Sequence, residues 1–458
     1  MPRKRLVAAA LVACVLAPAA AAHASATQVS IMQDDDQLVY RDDATRDRAL
    51  DEMKALGVDV VRATVLWRNV AVGVSRSAAA RKDLASPRAY GVAVWNRYDN
   101  LVRAAQARGL RVYFSVTGPP PDWAHARAPR RERDAVRLAW EPDPRKFAKF
   151  VVAVGRRYSG HYRDEDSGRS LLPRVDFWGL WNEPNQAGWL APQNAFSREA
   201  GRVIPVAPIM YRELFLRELL CVDARGHSFR GRQARARHCS DFDKFGPLRA
   251  SAYGHHPYTK DLAPTQRDAS PDSITMADIS NLGVLIDRYS RTGRIAKGLP
   301  IVLSEFGYET NPPDPFSGQP LDRQAEYINE GDYLAAQNPR ILSQTQFILR
   351  DAGPVLRARP GTKPYWFTYQ SGLLFADGSP KPAAAAYALP FIARPTAGGV
   401  GVWGQLRFRP NGIVDQVQIE RLSDDGTTWE PVGAPVEVIN PVGMFQTVLD
   451  GADRKSVV

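Results

Sequence analysis

Apolar residues in this chain follow two patterns in turn. Short runs dense in Val, Ile, Leu and aromatic residues predict strands, and the segments between them carry apolar stripes at helical spacing. The clearest stripe opens at Asp143, a capping residue with Pro144 behind it in the first helical position. Phe147, Phe150, Val151, Val154 and Tyr158 then line one face until Gly160 ends the helix. A second stripe carries Tyr98, Leu101, Val102 and Ala105 and closes at Gly109. Strand runs are read at Gln28 to Met32, Val58 to Trp67, Leu110 to Thr117, Val175 to Trp181, Leu248 to Tyr258, Pro300 to Gly307 and Ile341 to Leu349. Strands alternating with helices predict a parallel sheet with crossover helices. Eight such units close a (β/α)8 TIM barrel, expected here over residues 27–394. The fifth strand has one candidate, Val203-Ile204-Pro205-Val206, in which Pro205 cannot donate to a ladder. Either that run is a poor strand or the region is shortened.

Beyond Pro395 the period changes. Gly398-Gly399 makes a break, and Val400 to Phe408 and Val414 to Leu422 alternate apolar and polar residues around the turn Pro410-Asn411-Gly412. Residues 395–458 are therefore expected to form a small antiparallel, β-sandwich-like module, a structural appendage in preference to a sugar-binding one.

The chain has 458 residues, 44% of them apolar, enough for one large core and a small second unit. Arg3, Lys4 and Arg5 precede an apolar stretch from Leu6 to Ala22, and Ala24-Ser25-Ala26 fits a signal-peptidase site. Residues 1–26 are read as a signal peptide and the protein as secreted; a lipoprotein box ending at Cys14 is the lesser alternative. Without that leader the net charge of +11 becomes +8, from 57 Lys and Arg against 49 Asp and Glu. The excess is dispersed and mostly arginine, which describes a solvated surface. Nucleic acid is excluded as a partner because no basic stripe interleaved with aromatics exists. Cys221 and Cys239 remain, and in an oxidising compartment such a pair is expected to form a disulfide. No later run reaches the ~20 apolar residues that span a bilayer.

Two motifs carry the chemistry. Trp181-Asn182-Glu183-Pro184-Asn185 and Ser304-Glu305-Phe306-Gly307 each put a glutamate where a buried strand emerges. Two carboxyl groups facing one another are what glycosidic cleavage requires, and parallel strands of one barrel deliver both to the same rim. Arg62 stands inside the apolar run Val58 to Trp67, where an unpaired guanidinium is costly; it is expected to pair either with Glu305 or with a purely structural acid. His255-His256-Pro257-Tyr258 ends another strand. Neighbouring side chains on a strand face opposite ways, so the two His are not read as a metal pair. Trp67, Trp123, Trp189 and Trp366 lie near strand ends and are candidate walls for sugar rings, whereas Trp178 and Trp181 are assigned to the core.

The two glutamate motifs together, over roughly Thr27 to Ile392, resemble the retaining glycoside hydrolases of clan A, such as families 5 and 39. That resemblance implies Glu183 as acid/base and Glu305 as nucleophile. It implies Asn182 at the sugar 2-hydroxyl, His256 and Tyr258 as the His-x-Tyr pair with the phenol on the nucleophile, and Arg62 serving Glu305. For these roles Glu183 needs a raised pKa and Glu305 must stay ionised. One departure is evident: the tryptophan usual just after strand 8 is missing, since Ile341 to Leu349 meets no Trp until Trp366. The expectation is a monomer acting on carbohydrate by double displacement, without cofactor or metal. The rival is a catalytically silent carbohydrate-binding protein on the same barrel.

Overall fold

The computed structural model describes residues 28–166, 168, 170–198, 201–207, 221, 223, 227–236, 239–240, 246–247, 249–259, 261–270, 273–407, 416–438 and 442–449. The leader at 1–26 with Cys14, the start of the Leu248 run and the turn at Pro410-Asn411-Gly412 lie outside them. Up to residue 350 the described strands are β1 (Val29–Gln33), β2 (Val60–Leu66), β3 (Arg111–Thr117), β4 (Phe177–Leu180), β5 (Asn194–Ser197), β6 (Arg202–Pro205), β7 (Tyr253–His255), β8 (Ile301–Phe306) and β9 (Ile341–Phe347). All but β5 and β6 form one parallel sheet in the order β4-β3-β2-β1-β9-β8-β7. These seven strands are the seven read from the apolar runs.

Alternation along each strand sorts its side chains. Ile31, Val60 and Tyr113 are cross-strand partners or near neighbours and point into the barrel, where Val29, Phe177 and Val302 join them. Val61, Ala63, Val65, Val112, Phe114 and Val116 point outward into the main core, against helices Asp43–Ala55, Asn96–Ala107 and Pro144–Arg157. Asp143 caps the last of these, its carboxylate accepting from Arg145 N and Lys146 N. Gly179 on β4 has a packing reason: a Cβ there would lie 2.7 Å from Tyr113 Oη inside the barrel.

The sheet is curled rather than flat. Edge strands β4 and β7 are six spacings apart, about 29 Å on a flat sheet. Yet His256, just after β7, reaches Glu183, just after β4, at 3.2 Å. The fold is thus a nearly closed parallel barrel with no fifth strand among the described residues. It matches a TIM barrel, and the candidate run Val203-Ile204-Pro205-Val206 is not its fifth strand. β6 pairs antiparallel with β5 as a hairpin off the barrel. Only Ile204 of it is buried while Val203 is 62% exposed, and a barrel strand is covered on both faces.

The C-terminal region is antiparallel: β10 (Phe391–Thr396), β11 (Gly399–Gln405), β12 (Gln416–Val417), β13 (Glu420–Leu422), β14 (Trp429–Pro431), β15 (Val436–Glu437) and β16 (Met444–Leu449). The pairing differs from the expected hairpin between Val400–Phe408 and Val414–Leu422. β11 pairs with β10 and β16, β12 with β15, and β13 with β14. The glycine break is itself a two-residue hairpin loop, since Thr396 pairs with Gly399. Val400, Val402, Ile419, Phe445 and Leu449 form the core of this region. It is fastened to helix Leu321–Ala336: Trp403 packs with Met444 on Ala336 and edge-on to Tyr333 at 5.5 Å, and Arg407 pairs with Asp332 at 2.8 Å, both buried. Cys221 and Cys239 are disulfide-bonded, with Cα atoms 5.8 Å apart. Among the described residues no helix is long and apolar enough to cross a membrane.

Candidate active site

Past Leu180 the backbone turns sharply to present two side chains at the rim. Trp181 (φ 67°) and Glu183 (φ 36°) both sit in the left-handed region, each at a cost on the order of 1–3 kcal/mol that the surroundings must offset. The turn is held by Trp181 N donating to Val116 O at 2.8 Å and by Asn182 N donating to Thr117 Oγ1 at 2.8 Å. The Trp181 ring packs on Phe147, centroids 4.7 Å apart. Glu183, so placed, accepts from Gln186 Nε2 at 2.7 Å on one oxygen and from His256 Nδ1 at 3.2 Å on the other.

Glu305 lies on β8, one residue from its end. Gly307 follows because a Cβ there would meet the Phe347 carbonyl at 2.6 Å, where β8 and β9 converge. The Glu305 carboxylate is buried and fully engaged. Arg62 Nη1 donates to Oε1 at 2.9 Å and Tyr258 Oη to Oε2 at 3.3 Å, with His256 Nδ1 3.5 Å from Oε2. Arg62 Nη2 reaches Asn182 Oδ1 at 3.3 Å and Ser115 Oγ at 3.4 Å, and the guanidinium lies 5.5 Å from the Tyr113 ring centre. The cation inside the apolar run therefore pairs with Glu305.

The charges set the protonation. Burial pushes the Glu305 carboxyl up, but the charges of His256 and Arg62 and the bonds from Arg62 and Tyr258 outweigh it, so it stays below the ordinary carboxylate value. Burial would lower Arg62, yet the Glu305 charge raises it, and it remains a cation. Tyr258 is pushed well up by burial and then by Glu305 and Glu183, so it keeps its phenolic proton. His255 faces the other way: Nε2 donates to Ile274 O at 2.8 Å, and burial pushes it down to about 4.

Glu183, His256 and Glu305 each offer an atom within 4.8 Å of the others, close enough to share one ion. A divalent metal there would have to sit beside Arg62, already bonded to Glu305. The donor set suits proton exchange better than a metal.

The tryptophans divide. Trp67 is fully buried, stacked on Phe150 at 5.8 Å and edge-on to Trp123 at 6.0 Å. Trp123 is buried in the same cluster. Phe147 and Phe150 of helix Pro144–Arg157 pack on Trp67. Trp189 and Trp366 are half-buried on rim loops. Trp181 is in the core as expected. Trp178 is not: it is 39% exposed on β4, the sheet's edge strand.

Several residues escaped the sequence reading. Gln186, Ser115 and Thr117 brace the site through ordinary polar side chains that no pattern distinguishes. Asp35, after β1, accepts from Thr64 N at 2.7 Å and Gln33 Nε2 at 3.1 Å. Burial pushes it up, against the Thr64 bonds and the Arg62 charge. Its signal was the run Asp34-Asp35-Asp36 at a strand end. At the end of β9, where no tryptophan follows, Phe347 stands edge-on to Tyr258 at 6.4 Å and to Tyr369 at 5.1 Å.

No protein-family model and no curated protein matches the chain. Solved structures similar to it include a family 39 glycoside hydrolase from Bacteroides cellulosilyticus (13% identity, covering 94% of this chain and 80% of that one, TM-score 0.45). Others are a glucosidase from Croceicoccus marinus (14%, 90% and 83%, TM-score 0.48) and a family 39 β-xylosidase from Caulobacter crescentus (14%, 86% and 82%, TM-score 0.46). Likenesses of this size carry no argument about function, which rests on the geometry of the site.

Proposed function

We propose that this protein is a secreted retaining β-glycosidase, with Glu305 as nucleophile and Glu183 as acid/base. The observation that carries the reading is the pair itself: two carboxyl groups, one just past edge strand β4 and one on β8, brought together by the curl of the sheet with oxygens within 4.8 Å and His256 between them. Retaining enzymes hold their carboxyl groups ~5–5.5 Å apart and inverting ones ~6.5–9.5 Å, so this spacing favours retention. The disulfide favours an oxidising compartment, and with it export.

Glu305, kept ionised by His256 and Arg62, attacks the anomeric carbon. The bond to the leaving oxygen breaks, and that oxygen takes the electron pair and a proton from Glu183. Water then attacks the glycosyl-enzyme, gives its proton to Glu183, and Glu305 departs as carboxylate. Tyr258 and Arg62 fix the two Glu305 oxygens, while Asn182, oriented by Arg62, faces the sugar 2-hydroxyl. His256 between the carboxyl groups hydrogen-bonds to Glu183 as its proton comes and goes.

Trapping with a panel of 2-fluoro glycosides tests this. The expected result is a covalent mass increase from one sugar, mapped to Glu305 and abolished in Glu305→Gln. Glu183→Gln should slow substrates with poor leaving groups far more than activated aryl glycosides. Turnover of a glycan with inversion at the anomeric carbon overturns retention, and neither labelling nor turnover across the panel supports the silent binder.

A further inference from the structure

Residues 352–369, between β9 and helix Pro382–Ala388, form a closed finger at the rim. Its limbs pair through Ala352 N to Tyr369 O and Val355 N to Tyr365 O, both 2.8 Å, and Tyr365 N donates to Thr362 O at 3.0 Å. The base is anchored in the barrel. The buried Lys381 ammonium donates to Asp351 Oδ1 at 2.7 Å, Thr310 Oγ1 at 2.8 Å and Gln370 O at 3.0 Å, and Gln370 Nε2 donates to Thr368 Oγ1 at 2.6 Å. A segment fastened this firmly nonetheless presents apolar side chains to water: Leu356 is 85% exposed, Phe367 80% and Tyr369 57%. Tyr365 and Trp366 lean edge-to-face beside them at 5.2 Å.

An isolated exposed aromatic residue needs no explanation. This group differs because it continues the candidate active site. Tyr258 bonds to Glu305, Phe347 stands against Tyr258, and Tyr369 stands against Phe347. A line of rings therefore leads from the reacting carboxylate to the finger. Pyranose rings with equatorial substituents present C–H faces that stack on such surfaces. The charge along this line is mixed: Glu305, Glu183 and Glu309 act on the Tyr369 phenol, while the finger itself exposes Arg357, Arg359 and Lys363.

We infer that the finger 352–369 is a distal subsite, on which Phe367 stacks a sugar ring of a glycan chain, so that the site takes chains in preference to single glycosides. This rests on the glycosidase reading and adds the substrate class. Phe367 is a specificity residue, remote from the reacting atoms.

The test compares the full chain with Phe367→Ala and Phe367→Trp. Substrates are β-1,4-linked gluco-, xylo- and manno-oligosaccharides and β-1,3-linked gluco-oligosaccharides of two to six units, with 4-nitrophenyl glycosides of the same sugars. The expected result is kcat/KM rising with chain length. Phe367→Ala should lose about tenfold on the hexasaccharide, as removal of one buried ring predicts, with no change on the monoglycoside and recovery in Phe367→Trp. A flat dependence on chain length overturns the proposal, and so does an equal loss on both substrates. Calorimetric binding of the hexasaccharides separates the two readings. Binding that depends on Phe367 without cleavage keeps the finger and overturns the glycosidase, whereas cleavage indifferent to Phe367 does the reverse. A concentration-dependent dimer abolished by Phe367→Ala makes the finger a contact between copies and overturns the subsite.

Discussion

Replacing Arg62 by methionine removes the cation bonded to Glu305 while keeping most of the volume. Arg62 Nη1 stands 2.9 Å from Glu305 Oε1, with the side chains 2% and 8% exposed. At an effective dielectric constant of ~20, unit charges ~4 Å apart interact by about 4 kcal/mol, equivalent to about three pKa units. Burial already pushes the Glu305 carboxyl up, and it stays low because His256, Arg62 and Tyr258 outweigh burial. In Arg62→Met burial is opposed only by His256 and Tyr258, and the carboxyl should rise. The assay is the pH dependence of kcat/KM on an aryl glycoside with a good leaving group, for which the Glu183 proton matters least. The acid limb should move to higher pH, with activity recovering on the alkaline side. A limb that stays in place while the plateau falls would refute the reasoning, and Arg62 would then serve geometry alone.

Stability gives a second reading of the same substitution. Glu305 has a depressed folded pKa, so its contribution is present above the unfolded pKa and lost as pH falls through the folded value. In Arg62→Met that depression should shrink, and the loss of stability on acidification with it. At neutral pH the stranded carboxylate should cost about 3–5 kcal/mol, and adding Glu305→Gln should recover most of it. Urea unfolding of the two singles and the double, across pH, measures both effects.

The remaining predictions concern the frame. Replacing Cys221 and Cys239 by serine opens a closure of 18 positions and should lower stability by about 3 kcal/mol, read from unfolding with and without reductant. Arg407→Met leaves Asp332 buried and unpaired beneath the C-terminal sheet; a loss of about 3–5 kcal/mol is expected, restored in the double variant with Asp332→Asn. Burial pushes Asp34 up to about 7, against bonds from Gln37 N and Arg350 N. Its folded pKa therefore exceeds the unfolded value, and it should add stability as pH falls from about 7 towards 4, at most about 4 kcal/mol. The difference in unfolding free energy between wild type and Asp34→Asn should vary over that window; a flat difference rejects the assignment.

What could be read from the sequence was whatever a strand end expresses locally. Glu183, Glu305 and Arg62 stood out because each interrupts an apolar run, where an ionised group needs a partner to remain. Those interruptions fall at the barrel's rim or inside it, where the sheet brings them together. Partner identity is different in kind. Trp67 and Trp366 look alike as aromatics near strand ends. One disappears beneath the Phe147 and Phe150 face of a helix, and the other stays half-buried at the end of the finger's own short turn, Lys363–Trp366. The same limit explains β11, whose alternation marked it as a strand without naming β10 and β16 as its neighbours, and Val203, whose run of apolar residues belongs to a hairpin outside the sheet. Alternation records which face of a residue is dry, while the element that keeps it dry lies elsewhere in the chain. The candidate site was legible to the extent that its chemistry demands unusual residues in dry places. Its supports, Ser115, Thr117 and Gln186, are ordinary residues that acquire meaning only from the atoms they touch.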